Sequence, residues 1–370
     1  MGVSTIGILA DMPMASTGMA VVCHNLARQL CKKSKIRVVY FGRFGRKEGI
    51  ASELETELYK GYEYVPTEGG VWKKETVKKI IDLYKLDILF SEDDWFSAQG
   101  LVEATEERGV PFHFLTPIDS LPIHENAYKL FKRCTKVYVP NNSYKSIPNG
   151  IYLPHAVNSI MFQPLTKKQN KLFNKFTFLW VGRNEERKAM GRAILAYKNL
   201  CSKVSDTQMV IRSDWTTDAC NKTGMYLLKH KELPIIRDQM RNIEHGYMQA
   251  VYANTNVLVI TSKAGGFELQ SLEAMACGIP VLCTDFTFMN EPIIDGKNGF
   301  KIPVESYTND PNGYGRIWGN ISIDKLADKM LWCANNPEEV KNMGNWARKY
   351  VVENYDWKNV GDKLYKEMGF

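Results

Sequence analysis

Short apolar runs alternate with amphipathic segments along most of the 370-residue chain, and this alternation constrains the fold more than any other feature. Such runs are typical of strands buried on both faces of a sheet, with helices between them. In the first half we predict strands at 5–10, 37–41, 87–90, 112–115 and 136–139, and helices at 20–31 and 72–84. Val21, Val22, Leu26, Ala27 and Leu30 form the expected apolar stripe of the first helix. The pattern predicts a parallel, doubly wound α/β sheet.

The same alternation restarts after a break that contains Pro154, Asn158, Pro164 and the lysine-rich stretch 167–175. Strands are predicted at 176–181, 209–211, 257–261 and 280–283, and helices at 192–200, 268–277 and over most of 337–370. A chain of this length exceeds one ordinary core. We therefore predict two α/β domains, 1–165 and 170–355.

Composition favours a globular protein, with 44% hydrophobic and 24% charged residues. No apolar stretch has the length of a membrane span, and the start of the chain lacks the features of a signal peptide. The eight cysteines and six histidines match no metal pattern, so we expect reduced thiols, no bound metal and a cytoplasmic location.

The net charge of +7 is concentrated in four clusters, at 32–37, 43–47, 129–136 and 167–175. Solvated helix ends and loops explain most of them. The alternative is attraction to an anionic partner, which includes a nucleotide, a peripheral membrane surface or a nucleic acid.

The segment 262–283, SKAGGFELQSLEAMACGIPVLC, follows a predicted strand. Gly265 and Gly266 allow backbone to approach a ligand, and a helix is expected to begin near Phe267. The first N–H groups of that helix form an anion site at the carboxyl end of the sheet, suited to a diphosphate.

Glu273 lies inside this helix among apolar neighbours. A carboxylate there needs partners, and ribose hydroxyls would supply them. A solvent-facing helix position is the equal alternative.

The segment 178–197, FLWVGRNEERKAMGRAILAY, places Arg183 directly after a strand and Lys188 five residues later. Two cations at that edge would stabilise the charge of a departing diphosphate. Arg187 and Arg192 are instead interpreted as parts of a solvated basic turn. In the segment 11–25, Gly18 marks a similar strand–loop–helix geometry in the other domain.

Together these segments resemble the GT-B glycosyltransferases, specifically the retaining family 4. The family pattern E-G-F-G-L, then E-A-M-A-C-G-x-P-V, stands here as GGFEL at 265–269 and EAMACGIPV at 273–281. The V-G-R motif with its lysine stands at 181–183 and Lys188, and E-x-x-x-D-G-x-x-G stands at 291–299. YLPHAVN at 152–158 is similar to the family's linker. The resemblance covers nearly the whole chain and is most specific in its second half.

The resemblance implies two Rossmann-like domains facing a cleft. Domain 1–165 would bind the acceptor and domain 170–355 the nucleotide-sugar, with a C-terminal helix at about 356–370 crossing back to the first. Arg183 and Lys188 would bind the donor diphosphate, and Glu273 the ribose. Ser262, Gly18 and the backbone around Gly265, Gly266, Phe267, Glu268 and Leu269 would complete the donor site. UDP-sugar is the favoured donor, no cofactor is tightly bound, and the reaction would retain the anomeric configuration.

Departures from the family pattern are also visible. Gly265 stands where the first glutamate of the family's pair is expected, and Glu268 would have to substitute at another angle. The family's N-terminal histidine is absent, and Asp119 is our candidate to contact the transferred sugar or orient the acceptor. An ordinary turn residue is the alternative for Asp119.

Two interpretations concern residues of the first half only. His113 is expected to be a core or strand residue. Glu92, Asp93 and Asp94 are interpreted as an acidic loop at a strand end rather than a D-x-D metal motif.

The acceptor is open at this point. A glycan or lipid-linked acceptor is the family default. A hydroxymethylated base in phage-type DNA is an alternative, suggested by the basic clusters and Phe44. A non-catalytic sugar-nucleotide binder is a further alternative, suggested by Gly265, and a GT-B-shaped epimerase is the last.

Overall fold

The computed structural model describes residues 3–15, 17–43, 61–67, 69–119, 122–165, 172–213, 233–239, 247–311 and 315–370. The chain forms two compact units. Unit 1 comprises Met1–Ile118, Ile123–Ala156 and Trp357–Phe370, and unit 2 comprises Asp119–Pro122 and Val157–Asp356. Unit 2 thus includes residues 157–165, which the sequence analysis placed in the first domain. Val157 and Phe162 pack in the core of unit 2, which accounts for the difference.

Unit 1 is built on a seven-stranded sheet in the order β3-β2-β1-β4-β5-β6-β7. All its neighbouring strands pair in parallel. The strand order reverses beside β1, so the crevice at the carboxyl ends of β1 and β4 is the topological switch point. The strands are β1 (Ser4–Asp11), β2 (Ile36–Arg43), β3 (Glu63–Pro66), β4 (Ile88–Glu92), β5 (Phe112–Leu115), β6 (Lys136–Val139) and β7 (Gly150–Tyr152).

Five α-helices of the described residues belong to unit 1: α1 (Gly18–Leu30), α2 (Lys74–Tyr84), α3 (Gln99–Arg108), α4 (Glu125–Phe131) and α10 (Trp357–Glu367). In α1 the predicted stripe is buried except for Val21, which is exposed. Residue 21 faces away because Val22, Leu26 and Leu30 already define the buried face at helical spacing.

Helix α10 returns to unit 1, as the resemblance implied, and packs on α1. A Cβ built on Gly361 would lie 2.4 Å from the Cβ of Gln29, so only glycine permits this close approach. Lys33 lies 2.5 Å from Asp362, and Lys136 lies 3.2 Å from Glu367. These contacts fix the helix against the sheet of unit 1.

Unit 2 is built on a six-stranded parallel sheet in the order β10-β9-β8-β11-β12-β13. Here the order reverses beside β8, which places the switch point between β8 and β11. The strands are β8 (Phe176–Val181), β9 (Thr207–Ser213), β10 (Ile235–Gln239), β11 (Val257–Ile260), β12 (Val281–Thr284) and β13 (Gly299–Ile302).

The helices of unit 2 cover both faces of this sheet. Phe178 and Trp180 of β8 pack in one core cluster, whereas Leu179 and Val181 pack in the other, as alternation along a strand requires. The helices are α5 (Met190–Cys201), α6 (Tyr247–Ala253), α7 (Leu269–Ala276), α8 (Ile323–Asn335) and α9 (Pro337–Asn354). The doubly wound architecture predicted for both halves is therefore confirmed.

A two-stranded antiparallel hairpin, β14 (Val304–Asn309) and β15 (Ile317–Ile321), was not predicted. Most β14 side chains are exposed, so the strand lacks the apolar run that marks the sheet strands. The seven cysteines in the described part of the chain are free thiols, and Cys220 lies outside it.

Candidate functional site

Two loops of unit 2 meet at the switch point because the strands that lead into them are neighbours. Val257 of β11 pairs with Phe178 of β8, and both strands run in the same direction. The loop after β8 carries Arg183 and Lys188, and the loop after β11 carries Ser262 and Glu268. Parallel strands bring such loops to the same edge of the sheet.

Lys188 and Glu268 form a buried ion pair at this edge. The Lys188 Nζ lies 2.8 Å from both carboxylate oxygens of Glu268. Ser262 Oγ donates to Glu268 Oε1 at 2.7 Å, and Gln270 Nε2 donates to Oε2 at 2.9 Å. The Glu268 side chain is 5% exposed and that of Lys188 15%. Both oxygens of Glu268 thus accept hydrogen bonds from Lys188, and each accepts a second one, from Ser262 or from Gln270 of the following helix.

Burial and pairing shift both ionisations. Burial lowers the pKa of Lys188, and the adjacent Glu268 carboxylate offsets this only in part. Burial also acts to raise the pKa of Glu268, but the charges of Lys188 and Arg187 outweigh it and hold that pKa below its usual value. At neutral pH the carboxylate is therefore charged and anchors the ammonium.

Gly265 makes room for this carboxylate. A Cβ at position 265 would lie 3.2 Å from Glu268 Oε1, inside the usual contact distance. The carboxylate of Glu268 therefore occupies space directly beside the backbone position where the family pattern has its glutamate. The loop is fixed further by Thr287, whose Oγ1 lies 3.2 Å from the Gly265 nitrogen and 3.1 Å from its oxygen.

Helix α7 begins at Leu269, two residues later than expected, and Glu268 is its N-cap residue. The side chain of Glu268 makes no capping bond to the described helix, since it is directed to Lys188. Gly266 and Phe267 lie in the loop before the helix, and the Phe267 ring lies 6.4 Å from that of Tyr355. The start of α7 thus stays next to the ion pair.

Arg183 does not join the Lys188–Glu268 pair within the described residues. Its side chain is 56% exposed, and its Nη1 lies 3.6 Å from Glu185 Oε1. Arg183 follows the buried strand β8 as expected, yet the side chain is accessible to solvent.

The interpretation of Arg187 and Arg192 as solvated is wrong. Arg187 donates to the carbonyl of Ala264 at 2.7 Å, and its own carbonyl accepts from the Lys263 nitrogen at 2.7 Å. Arg192 donates to the carbonyl of Ile321 at 2.8 Å. Arg187 therefore connects the two loops through hydrogen bonds. This role can be recognised only once β8 and β11 are known to be neighbouring strands.

Glu273 lies on α7 and is partly buried. Tyr252 Oη donates to Glu273 Oε2 at 2.9 Å. Burial raises the pKa of Glu273 to about 7, although the bond from Tyr252 acts in the opposite direction. Glu273 is therefore not simply a solvent-facing helix residue, since it is partly buried and bonded to Tyr252.

In unit 1 the switch point holds a buried charge network that sequence analysis missed. Arg43 lies 2.7 Å from Asp11 and 2.6 Å from Asp93. Glu92 lies 3.2 Å from His155. Glu92 ends β4 and Asp93 and Asp94 follow it, so these residues do lie at a strand end as interpreted. Their environment differs from that of a surface loop, since Glu92 and Asp93 are 1% and 2% exposed.

Burial raises the pKa of Glu92 and that of Asp93, despite their basic neighbours. Gly18 begins α1 beside this network, and the capping residue Thr17 donates to Asp11 at 2.7 Å. His113 is a buried strand residue, as expected, and its Nδ1 lies 2.8 Å from Tyr138 Oη.

Asp119 belongs to unit 2 and pairs with Arg316, which precedes β15, at 3.0 Å. Arg316 also donates to Asp310 at 2.7 Å. Arg316 belongs to no sequence motif, and the hairpin that carries it has no strand pattern by which it could be recognised.

Within the described ranges, no group of three or more acidic, histidine or cysteine side chains could hold a metal ion. In the same residues, no helix is both long and apolar enough to cross a membrane.

Residues 162–350 match the model of the family described as "Glycosyl transferases group 1". Sucrose synthase of Solanum tuberosum is 29% identical over 130 residues, which are 35% of this chain and 15% of that protein. The capsular polysaccharide biosynthesis glycosyltransferase CapM of Staphylococcus aureus is 28% identical over 203 residues, 54% of this chain and 48% of CapM. The chain therefore spans less than half the length of these curated relatives.

The fold is shared over nearly the whole chain with the crystal structure of Anabaena HepE in complex with UDP and glucose. The TM-score is 0.74 at 14% identity, with 99% of each chain covered. This likeness confirms the predicted GT-B fold class of two Rossmann-like domains.

Proposed function

The chain belongs to the group 1 glycosyl transferases, and from that premise we propose that it transfers a sugar from a nucleotide-sugar to a hydroxyl acceptor with retention of configuration. The observation that carries the proposal is the Lys188–Glu268 pair beside the start of α7. A fixed cation and helix N–H groups at one switch point support the binding of a diphosphate there.

The donor diphosphate would lie between the start of α7 and the side chains of Lys188 and Arg183. Lys188 is held in place by Glu268, whereas the exposed Arg183 can turn towards the phosphates. Backbone groups from Gly265 to Leu269, together with Ser262, would contact phosphate or sugar oxygens. Preorganised cations stabilise the charge that develops on a leaving group.

Glu273 would accept hydrogen bonds from the ribose. Its carboxylate is bonded to Tyr252 through one oxygen, which orients the other. A carboxylate so placed accepts two hydroxyl donors well. We favour a UDP-sugar as donor, because HepE, which has the same fold, was crystallised with UDP and glucose.

In the proposed reaction the acceptor hydroxyl attacks the anomeric carbon from the face that the diphosphate leaves. The bond from the anomeric carbon to the diphosphate oxygen breaks as the bond to the acceptor oxygen forms. The acceptor proton passes to the departing diphosphate, so no protein nucleophile is needed. Glu268 acts as a positioning residue for Lys188 and is our candidate substitute for the side chain missing at Gly265.

Unit 1 would bind the acceptor near the Arg43 network, while Gly18 of the same unit would contribute to the donor site. Asp119 would orient the sugar or the acceptor in concert with Arg316. A glycan or lipid-linked acceptor remains the default.

The alternative of a DNA acceptor gains little support from the described parts of the basic clusters. Arg43 is committed to Asp11 and Asp93, Arg37 to Glu63, and Arg133 to Glu106. Paired cations contribute little attraction for phosphates. Phe44 and residues 167–171 lie outside the described part of the chain.

A thermal-shift screen against UDP, GDP, ADP and their sugars tests the donor assignment. A ligand that binds only the folded chain raises the melting temperature, more so when it binds tightly. We expect the largest shift with UDP and UDP-sugars, followed by slow donor hydrolysis. Stabilisation without transfer or hydrolysis for any sugar would favour a non-catalytic binder, and no shift with any nucleotide would contradict the proposal.

A further inference from the structure

A second concave site lies in unit 2, at the edge of the sheet opposite the donor loops. It has a volume of about 570 Å³ and is bordered by the turn before β13, by β13 itself, and by α8 and α9. Gly299 at the start of β13 pairs with Val281 at the start of β12, so this is the amino-terminal edge. The Lys188–Glu268 pair lies at the carboxyl-terminal edge. The two sites are therefore separate.

Three aromatic residues contribute to the lining of this groove: Phe300, Trp332 and Trp346. The rings of Phe300 and Trp332 meet edge to face, with centroids 5.2 Å apart at 80°. Trp346 is stacked on Tyr350 at 5.2 Å and 15°, yet the residue is still 37% exposed. Stacking on Tyr350 holds the Trp346 ring as a preformed platform.

Polar side chains line the groove beside the rings. Lys329 places its Nζ 4.2 Å from the centroid of Phe300. Lys297, Glu339 and Asn342 are exposed and add a further donor, an acceptor and an amide. On α9, Glu339, Asn342 and Trp346 lie at spacings of three and four residues, so they share one helix face.

From this lining we propose that the groove binds a segment of glycan chain. A pyranose presents a flat face of C–H groups and a rim of hydroxyls that both donate and accept hydrogen bonds. The groove offers the exposed ring of Trp346 for the first, and a mixed set of ammonium, carboxylate and amide groups for the second. Its volume lies in the range of about 300–1,000 Å³ that is usual for small-ligand sites.

The charge of the lining distinguishes a glycan from a nucleic acid. Two lysines and one glutamate leave a small net charge, and Glu339 would repel phosphates. Grooves for single-stranded nucleic acid combine stacking rings with a strongly positive track. In a glycosyltransferase this groove would hold the acceptor or product chain away from its reacting end. That consequence alone rests on the proposed function, since binding itself needs no donor.

The test measures binding of maltohexaose, cellohexaose and chitohexaose to the full chain. Tryptophan fluorescence and calorimetry report the affinity and the number of sites. We expect at least one of them to bind at one site per chain, equally with and without saturating UDP. Trp346→Ala should weaken that binding by about tenfold or more, which is the loss that follows removal of a stacking ring. The affinity of Trp346→Phe should lie between those of the wild type and Trp346→Ala.

Tyr307→Ala is the matched control, because Tyr307 is an exposed aromatic of the same unit outside the groove, 64% accessible. It should leave the affinity within about twofold of the wild type. If circular dichroism shows that Trp346→Ala is unfolded, Asn342→Ala carries the same test through an exposed position of α9.

The proposal would be overturned if none of the three oligosaccharides binds, if binding survives both groove variants, or if UDP competes with it. Tighter binding of an oligothymidine or of an acidic peptide at Trp346 would also overturn it. None of these outcomes depends on donor turnover, so they are distinguishable from failure of the proposed transfer reaction.

Discussion

Both carboxylate oxygens of Glu268 accept a hydrogen bond from the ammonium of Lys188, and each lies 2.8 Å from its Nζ. The pair joins the loop after β8 to the loop after β11, and Ser262 donates a hydrogen bond to the Glu268 carboxylate. Because both partners are largely buried, their geometry is set before any ligand arrives. This preorganisation is what a cation needs in order to stabilise a leaving diphosphate.

Replacement of Lys188 should therefore remove most of the activity. We expect Lys188→Ala to lower the rate of transfer or donor hydrolysis by about 10²–10³-fold, the usual loss for one preorganised charge-stabilising group. Lys198→Ala, at an exposed position of α5, is the control and should retain wild-type rates. Steady-state kinetics with the donor identified by thermal shift provides the measurement. A Lys188→Ala enzyme of normal rate would contradict the assignment.

The contribution of this ion pair to the stability of the fold can be measured separately from its contribution to catalysis. Glu268→Gln leaves a buried ammonium without its anion and should lower the free energy of unfolding by about 3 kcal/mol. Lys188→Met should have a similar effect, since it leaves the buried carboxylate of Glu268 without its cation. The double variant should lose clearly less than the sum of the two, because no unpaired charge remains. Urea denaturation of all four proteins measures this coupling, and strict additivity would argue against the pair.

The position of the carboxylate can also be moved. Glu268→Gly should impair donor turnover, because Lys188 loses its anchor. Adding Gly265→Glu to that variant restores the order of residues in the family pattern, in space that the vacated carboxylate leaves free. We expect the double variant to turn over the donor at least about tenfold faster than Glu268→Gly does, equivalent to about 1.4 kcal/mol in the activation barrier. No recovery would show that Glu268 does not replace the family's glutamate.

Glu273 should make stability depend on pH. Burial raises its pKa to about 7, above its usual value of 4.5. In that window the folded chain binds more protons than the unfolded chain, so the free energy of unfolding falls as pH rises. The contribution is fully present below pH 4.5 and is lost as pH passes 7, by about 3 kcal/mol at most. Denaturation between pH 4.5 and 8 should show this slope in the wild type and a reduced slope in Glu273→Gln.

Arg43 and Arg37 offer a comparison within one strand, because both are paired arginines of β2. Arg43 is 9% exposed between two carboxylates, and Arg37 is 40% exposed beside Glu63. Arg43→Met should lower the free energy of unfolding by about 3–5 kcal/mol, since Asp11 and Asp93 would be left buried without a cation. Arg37→Met should lower it by less than about 1 kcal/mol. Similar losses in the two variants would mean that the network does not stabilise unit 1.

Sequence patterns predicted the architecture because parallel strands buried on both faces leave a strong apolar signal. The same patterns placed Lys188 and Glu268 at one edge of a sheet. They could not predict the pairing, which depends on the turn Glu186–Lys188 and on the left-handed backbone of Ala189, with φ of 50°. Nor could they predict that Glu268 lies against Gly265.

Polar side chains that the fold buries were the least predictable. Glu92 and Asp93 look like a loop at a strand end in sequence, yet both are buried. The cation beside Asp93 is Arg43, 50 positions away in the chain, and Glu92 lies beside His155. Arg316 was missed because β14 carries no apolar run. In both cases the partner is supplied by tertiary structure, which local composition does not encode.

The return of α10 to unit 1 has a consequence for biosynthesis. Unit 2 is almost continuous in the chain, whereas unit 1 lacks its last helix until residues 357–370 have left the ribosome. The surface formed by Gln29 of α1 and by Lys33 just after it therefore stays exposed to solvent while the whole of unit 2 is translated. Although the amino-terminal half is made first, the carboxyl-terminal unit can finish folding before it.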